Sequence, residues 1–332
     1  MTIYPPGTPA DVAPPVSTLE LPTLLLAIFV YGGWLVLTHA YGHWPLWVVA
    51  PAVAVLLTLH SSLQHEVLHG HPTRYQVIND LIGIVPLSLW LPYRRYRITH
   101  LIHHRDQRLT DPLDDPESYY WTAQAWAMQG GATRLMLRAQ QTLMGRMLLG
   151  SFWRPALWLA SELRSIIRND PGVRAIWLEH LVWCVPVVTW VSFVCHIPLW
   201  LYGVAMVIPG NGILLIRSFA EHRARAEVSA RTAVVEGSWV LGPLFLFNNL
   251  HALHHESPGI PWYRYNTQYR LHRERLVAQN GGLVYRTYFD VARRFLWRPH
   301  DTTIHPTDRV PTTPDLKGTG APAIDTPQAG NA

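Results

Sequence analysis

Three short clusters contain histidines at helical spacing, and imidazoles are common metal ligands. The clusters, called box 1, box 2 and box 3 below, are His65-Glu66-Val67-Leu68-His69, His100-Leu101-Ile102-His103-His104 and His251-Ala252-Leu253-His254-His255. Residues three or four positions apart share one face of a helix, so each box can direct its imidazoles to one point. Eight such side chains exceed the needs of one metal ion, and the spacing therefore predicts two.

The type of ligand narrows the choice of metal. Imidazole suits iron, zinc, copper and nickel. A set of histidines that leaves coordination positions open fits iron and oxygen chemistry better than a closed structural zinc site does.

The boxes lie at or after the ends of two long runs without charged residues, and the helices that these runs form would hold the boxes in place. Residues 21–65 and 181–216 contain no Asp, Glu, Lys or Arg. The first run breaks at Tyr41–Pro45 and the second near His196–Pro198, so each half approaches the roughly 20 residues that cross a bilayer as helix. The sequence predicts an all-α integral membrane protein with about four transmembrane helices in two hairpins. A cytosolic helical cap would carry the boxes.

The remaining segments complete the expected domain organisation. Residues 1–22 are rich in Pro and residues 301–332 in Thr, Pro, Gly and Ala, so both are predicted to be disordered tails around a membrane domain at 23–300. Residues 133–167 mix Leu, Met and Trp with spaced Arg, which is typical of one amphipathic helix at the membrane interface or on the cap surface.

The distribution of positive charge predicts the topology. No Lys or Arg occurs in residues 1–73 or 175–216, whereas the segments after each hairpin are rich in Arg. By the positive-inside rule, the boxes and both termini are cytoplasmic. The net charge of +5 is expected to face anionic lipid rather than nucleic acid. The two cysteines lie in one apolar run and predict no disulfide.

The boxes, their order and the two hairpins resemble the membrane fatty acid desaturase superfamily over roughly residues 23–300. This superfamily includes acyl desaturases, lipid and alkane hydroxylases and carotenoid ketolases. The segments 217–223 and 248–259 resemble bacterial members, which implies a bacterial inner membrane.

The resemblance implies two non-haem iron ions with O2 as co-substrate. It also implies a ninth ligand, His222, just after the fourth span. No catalytic side chain is expected beyond the metal ligands, which are His65, His69, His100, His103, His104, His222, His251, His254 and His255.

The reaction expected first is introduction of a double bond into the acyl chain of a fatty acid or lipid taken from the bilayer. Hydroxylation or ketolation of a hydrocarbon or carotenoid, and oxidative decarboxylation to a terminal alkene, are compatible with the same site. The chain lacks a Gly-rich nucleotide fingerprint and a His-Pro-Gly-Gly haem segment. Electrons are therefore expected from a separate ferredoxin, rubredoxin or cytochrome.

Residues around the boxes are candidates to support the ligands, because metal-bound histidines usually donate their second N–H to an acceptor. The acidic candidates are Glu66, Asp106, Asp111, Glu221 and Glu256. The stretch from Asp111 to Pro116 is a support or a solvated turn, with the turn favoured. Asn248 and Asn249 hold a metal-bound water or cap a helix, with capping favoured.

Two functions from other classes remain as alternatives. Residues 65–69 match the HExxH motif of zinc proteases, in which Glu66 would be the general base, but that assignment leaves boxes 2 and 3 unexplained. A metal transporter or sensor would need ionisable groups inside the spans, and the charge-free runs hold few.

Overall fold

A computed structural model describes residues 19–307, except for the side chain of Asp106. The predicted disorder of the tails falls largely outside this range and stays a prediction. Within the range, the first helix already begins at Leu21. Residues 301–307 contact the folded part, since the Trp121 N–H donates to the Thr303 carbonyl at 2.9 Å and the His305 N–H donates to the Trp121 carbonyl at 3.0 Å.

The described chain is mainly helical, with one two-stranded parallel sheet that the sequence did not predict. In chain order the elements are α1 Leu21–His39, α2 Leu46–Leu68, α3 Gln76–Gly83, α4 Tyr93–His103, a 3-10 turn Asp106–Arg108, α5 Ala123–Ala127, α6 Gly131–Ala139, α7 Leu143–Leu148, α8 Gly150–Arg168, α9 Val173–Val188, a π-helical segment Thr189–Val194, α10 Leu199–Tyr202, a π-helical segment Gly203–Val207, α11 Ile208–Glu221, a 3-10 turn Val228–Arg231, β1 Val234–Val235, α12 Leu241–Leu244, α13 His251–Glu256, a 3-10 turn Trp262–Arg264, α14 Tyr265–Gln279, β2 Val284–Tyr285 and α15 Tyr288–Phe295.

Four helical segments are long and apolar enough to cross a bilayer, which confirms the predicted all-α membrane fold. They are Leu21–His39, Leu46–Leu68, Val173–Val194 and Leu199–Glu221. Three of them extend beyond the charge-free runs, because charged residues are excluded from the bilayer core but not from a helix. The second span continues through Glu66, the third includes Glu179, and the fourth ends with Arg217 and Glu221 in its last two turns.

The spans divide into a packed inner face and an apolar outer face. Ile28, Val36, Phe193 and Trp200 are each more than two-thirds exposed, as expected of side chains that face lipid. On the inner side, the Trp34 indole N–H donates to the Tyr202 hydroxyl at 2.9 Å, which links the two hairpins.

Close packing of α2 against α11 brings the ends of two spans together. A Cβ atom at Gly210 would lie 2.9 Å from the Ala54 carbonyl oxygen, so glycine permits this approach. The Thr58 hydroxyl donates to the Gly210 carbonyl at 3.0 Å. The Ser62 hydroxyl donates to the Leu244 carbonyl at 2.9 Å, which ties α2 to the segment before box 3.

The segment predicted as one amphipathic helix over 133–167 is instead the three helices α6, α7 and α8. The single-helix prediction is wrong because the chain turns at Thr142. The Thr142 hydroxyl accepts the Gly145 N–H at 3.1 Å and caps a new helix. Farther along the cap, Arg95 of α4 forms two hydrogen bonds of 2.6 and 2.8 Å with Glu162 of α8, and both side chains are buried.

Candidate metal centre

The predicted ligands lie at the ends of helices that converge on one region. His65 is in the last turn of α2, with His69 as its C-cap, and box 2 ends α4. His222 is the C-cap of α11, and box 3 lies on the short helix α13. The C-terminal end of a helix carries partial negative charge. The C-terminal ends of α2, α4 and α11 therefore favour a cation near these histidines.

Five imidazoles form the first of two groups. Their candidate ligand atoms lie within 4.8 Å of one another, and the residues are His65, His69, His100, His104 and His254. The Nε2 atom of His100 is 3.1 Å from that of His69 and 3.0 Å from that of His104. The Nε2 atoms of His104 and His254 are 2.9 Å apart.

Four imidazoles form the second group, which consists of His103, His222, His251 and His255. The Nε2 atom of His222 lies 3.0 Å from that of His103 and 2.9 Å from that of His251. The Nε2 atoms of His251 and His255 are 3.2 Å apart. The structure thus brings all nine predicted ligands together in two adjacent sets.

The spacing of these nitrogens suits imidazoles that share a metal ion. Ligands about 2.1 Å from a metal are about 3.0 Å apart at right angles and about 3.4 Å apart in a tetrahedron. Most of the Nε2 distances given above are at or near the first value. Where Nδ1 carries the proton, Nε2 presents a lone pair, and so many converging lone pairs repel one another unless a cation lies between them. The residues therefore fit two metal cations, one in each group.

Carboxylates hold two of the box 2 rings. The His100 Nδ1 atom is 2.9 Å from a Glu117 carboxylate oxygen, and the His103 Nδ1 atom is 2.9 Å from an Asp115 carboxylate oxygen. Such contacts place the proton on Nδ1 and leave Nε2 for a metal. His103 and Asp115 are both buried, so this pair is shielded from solvent.

In box 3, neutral side chains rather than carboxylates contact the Nδ1 atoms of two imidazole rings. The His254 Nδ1 atom is 2.9 Å from the Tyr265 hydroxyl at the start of α14. The His251 Nδ1 atom is 3.1 Å from the Asn248 side-chain oxygen. The capping role favoured for Asn248 is wrong, because its side chain holds a box 3 ring and forms no cap on α13.

The loop after box 2 combines the two roles considered for it. The Asp111 carboxylate accepts the Leu113 N–H at 2.8 Å and so forms a turn. Asp115 accepts the Thr110 N–H at 2.8 Å with one oxygen while the other contacts His103. The preference for a turn is therefore correct for Asp111. Asp115 has both roles, since it also accepts the Glu117 N–H at 2.9 Å and so forms a turn.

The remaining acidic candidates differ in position. Glu221 lies 3.4 Å from the His251 Nδ1 atom and pairs with Arg217 at 2.8 Å. Glu256 instead pairs with Arg275, and the side chain of Asp106 lies outside the described part. Glu66 accepts the Trp262 N–H at 2.9 Å, so it does not face the box 1 imidazoles as a protease base must.

The backbone before box 3 has an unusual conformation. Leu246 and Phe247 have φ values of 49° and 58°, in the left-handed region that bulky side chains rarely adopt. Such residues concentrate at functional sites, where the surrounding structure enforces them. The Phe247 N–H donates to the Gly242 carbonyl at 2.8 Å, and the Asn249 amide donates to the Val235 carbonyl at 2.7 Å. These contacts direct the chain into α13.

Burial keeps most of the imidazoles neutral. Desolvation, followed by the neighbouring imidazoles, lowers the pKa well below its usual value for His69, His104, His222, His251, His254 and His255. For His103, burial also acts to lower the pKa, but the Asp115 and Glu117 carboxylates outweigh it and raise the pKa to about 9.

Other histidines of the described chain lie outside the two groups. His71 contacts Glu20, and His60 lies 3.3 Å from the Tyr31 hydroxyl. None of the isolated histidines joins the ligand sets; these are His39, His43, His180, His196, His272, His300 and His305.

The sequence did not point to Glu117 or Tyr265. Glu117 lies in the irregular loop after box 2, where the sequence has no helical or strand pattern. Tyr265 lies on a helix after box 3. An acidic residue in a Pro-rich loop close to a box was the only available signal.

Comparison with known families shows the family of this chain. A family model described as fatty acid desaturase matches residues 42–289, a range that contains all nine histidines. The chain belongs to the fatty acid desaturase family. This desaturase-family protein is therefore an oxidoreductase of the desaturase and hydroxylase superfamily, and its four apolar helices agree with the membrane character of that family. A comparison with curated proteins gave no match.

Proposed function

We propose that this protein holds two non-haem iron ions on its nine histidines and uses O2 to introduce a double bond into the acyl chain of a fatty acid or lipid. The observation that carries the proposal is the division of the imidazoles into one group of five and one of four. Family membership supports the oxidoreductase class.

The residues of the chain position and protect the site. Each group presents Nε2 atoms, while Asp115, Glu117 and Tyr265 fix the Nδ1 side of three rings. Bound iron would supply the redox chemistry with O2 that an unactivated C–H bond requires, because no side-chain base can remove such a hydrogen. Burial of the box 3 imidazoles limits access of water, which protects a reactive centre.

The spans support a substrate from the lipid bilayer and a site at the membrane surface. Box 1 ends α2 and His222 follows α11, so the site lies where two spans leave the bilayer. We expect an apolar acyl substrate to enter from the lipid. The Arg-rich segments after each hairpin favour a cytoplasmic location for the boxes and termini, in a bacterial inner membrane.

Electrons are proposed to come from a separate carrier of the ferredoxin, rubredoxin or cytochrome type. Several arginines of the cap are largely exposed, including Arg264, Arg293 and Arg298. A basic surface attracts an acidic carrier and raises its rate of association.

The test is gas chromatography–mass spectrometry of lipids and hydrocarbons from cells that express the protein with an added ferredoxin system. Wild type is compared with His103→Ala and with His43→Ala, which removes an exposed histidine outside both groups. A new unsaturated acyl chain in wild type and His43→Ala, but not in His103→Ala, supports the proposal.

Other products redirect the assignment. A hydroxylated chain or an oxidised carotenoid identifies the hydroxylase or ketolase alternative, and a terminal alkene identifies oxidative decarboxylation. If iron-loaded protein with a working electron donor forms no product at all, that result contradicts the proposed oxidation.

A further inference from the structure

A third cluster of possible metal ligands lies outside the nine histidines. It consists of Glu20, Glu66 and His71, which are only 2%, 5% and 0% exposed. Their candidate ligand atoms lie within 4.8 Å of one another. Neither the oxidation chemistry nor the ligand sets described above uses these residues.

The cluster joins segments that are distant in sequence. Glu20 precedes α1, Glu66 is in the last turn of α2, and His71 follows that helix. The Glu20 N–H donates to the Pro72 carbonyl at 2.9 Å, and the Trp262 N–H donates to a Glu66 oxygen at 2.9 Å. The start of the first span, the end of the second and the segment after box 3 therefore meet here.

The His71 ring is oriented like the box 2 ligands. Its Nδ1 atom lies 2.7 Å from a Glu20 carboxylate oxygen. Its Nε2 atom is buried and has no hydrogen-bond partner among the described residues. The nearest carboxylate oxygen to Nε2, that of Glu66, is 3.9 Å away, which is too far for a hydrogen bond.

Charge balance also points to a cation. Within the described part of the chain, the ion pairs of Glu20 and Glu66 are formed with His71 and not with Arg or Lys. Two buried carboxylates and a buried imidazole nitrogen without a hydrogen-bond partner are costly in a protein interior. A divalent cation on Nε2 would offset both charges and satisfy the nitrogen.

We propose that His71 and Glu66 bind a divalent cation of the zinc type at a separate site, in which Glu20 holds the His71 ring. Zinc accepts histidine nitrogen and glutamate oxygen at about 2.0–2.2 Å, and two such bonds span the distance between His71 Nε2 and Glu66. Glu20 holds the imidazole through Nδ1, as carboxylates commonly do for metal-bound histidines. The ion fixes the start of the first span to the cap and has a structural role.

The experiment measures zinc on protein whose histidine groups are already filled with iron. Purified wild type is loaded anaerobically with Fe²⁺, exposed to Zn²⁺, desalted and analysed for both elements. We expect about one zinc per chain in addition to iron. His71→Ala and Glu66→Gln should lose that zinc and keep their iron, whereas His60→Gln, which changes a buried histidine outside every cluster, should keep both.

X-ray absorption at the zinc edge identifies the ligands in wild type alone, so the test does not depend on the folding of a variant. One imidazole with oxygen neighbours supports the proposal. A shell of several imidazoles would mean that zinc occupies the nine-histidine groups and would overturn it. Failure of wild type to retain zinc, or equal zinc in well-folded His71→Ala, would also overturn it. Absence of iron would contradict the proposed function instead.

Discussion

Replacing Asp115 by Asn removes a negative charge beside His103 and keeps the size of the side chain. In the wild type, one carboxylate oxygen contacts the His103 Nδ1 atom at 2.9 Å and accepts the Glu117 N–H at 2.9 Å, and the other accepts the Thr110 N–H at 2.8 Å. An asparagine has only one acceptor oxygen for these three partners. Either the imidazole loses its acceptor, or the amide NH2 faces the Thr110 N–H.

The expected effect is a weaker metal site in the second group. Loss of a partner that holds a metal-bound histidine typically lowers metal affinity about 10–100-fold, which corresponds to about 1.4–2.7 kcal/mol. Among the described contacts, Asp115 reaches the first group only indirectly, through Glu117 and its contact with His100, so that group should keep most of its affinity. One of the two irons should therefore be removed at about 10–100-fold lower chelator strength than in the wild type.

The assay is anaerobic competition between the iron-loaded protein and a graded series of chelators, with residual iron measured per chain. Asp111→Asn is the matched control, because Asp111 is similarly buried in the same loop and forms a turn with Leu113. Equal iron retention by Asp115→Asn and wild type would refute the assigned role of Asp115. Equal losses from both variants would assign the effect to the loop.

Three further changes test other parts of the structure. His222→Ala should reduce bound iron from about two to about one per chain, because it removes one ligand of the four-histidine group; retention of both irons would exclude His222 as a ligand. His300→Gln should reduce the amount by which the free energy of unfolding falls as the pH is lowered. Burial, followed by Arg223, lowers the pKa of His300 to about 4, so the folded state resists protonation. Wild type should lose up to about 1.4 kcal/mol per pH unit as pH falls from about 6.5 towards 4, as measured by thermal unfolding in detergent, and identical pH profiles would contradict this. Arg95→Met should cost about 3–5 kcal/mol by leaving Glu162 buried without its partner, and a second change, Glu162→Leu, should restore much of the loss; a thermal shift of the single variant near zero would exclude this ion pair as a structural link.

The convergence of the nine histidines was largely predictable because it depends on local spacing. Histidines three and four apart meet on a helix whatever the rest of the fold does. The charge-free runs similarly predict spans, since the bilayer imposes length and composition. His222 has no partner at helical spacing, and only the resemblance to a family indicated it.

The supports of the ligands were less predictable because they depend on tertiary structure. Asp115 and Glu117 reach box 2 through an irregular loop, and Tyr265 reaches box 3 from α14. Glu20 lies within the segment predicted as a disordered tail, yet it is buried against His71. Sequence periodicity carries no information about such contacts between distant segments.

The claim on which the account depends is that the two histidine groups hold two iron ions. The most direct measurement is the iron content of purified wild type after anaerobic loading with Fe²⁺ and desalting, combined with Mössbauer spectroscopy of the same sample. We predict about two irons per chain, both in nitrogen-rich six-coordinate environments. Less than about one iron per chain in folded protein with intact boxes, or a tightly held tetrahedral zinc in their place, would contradict it.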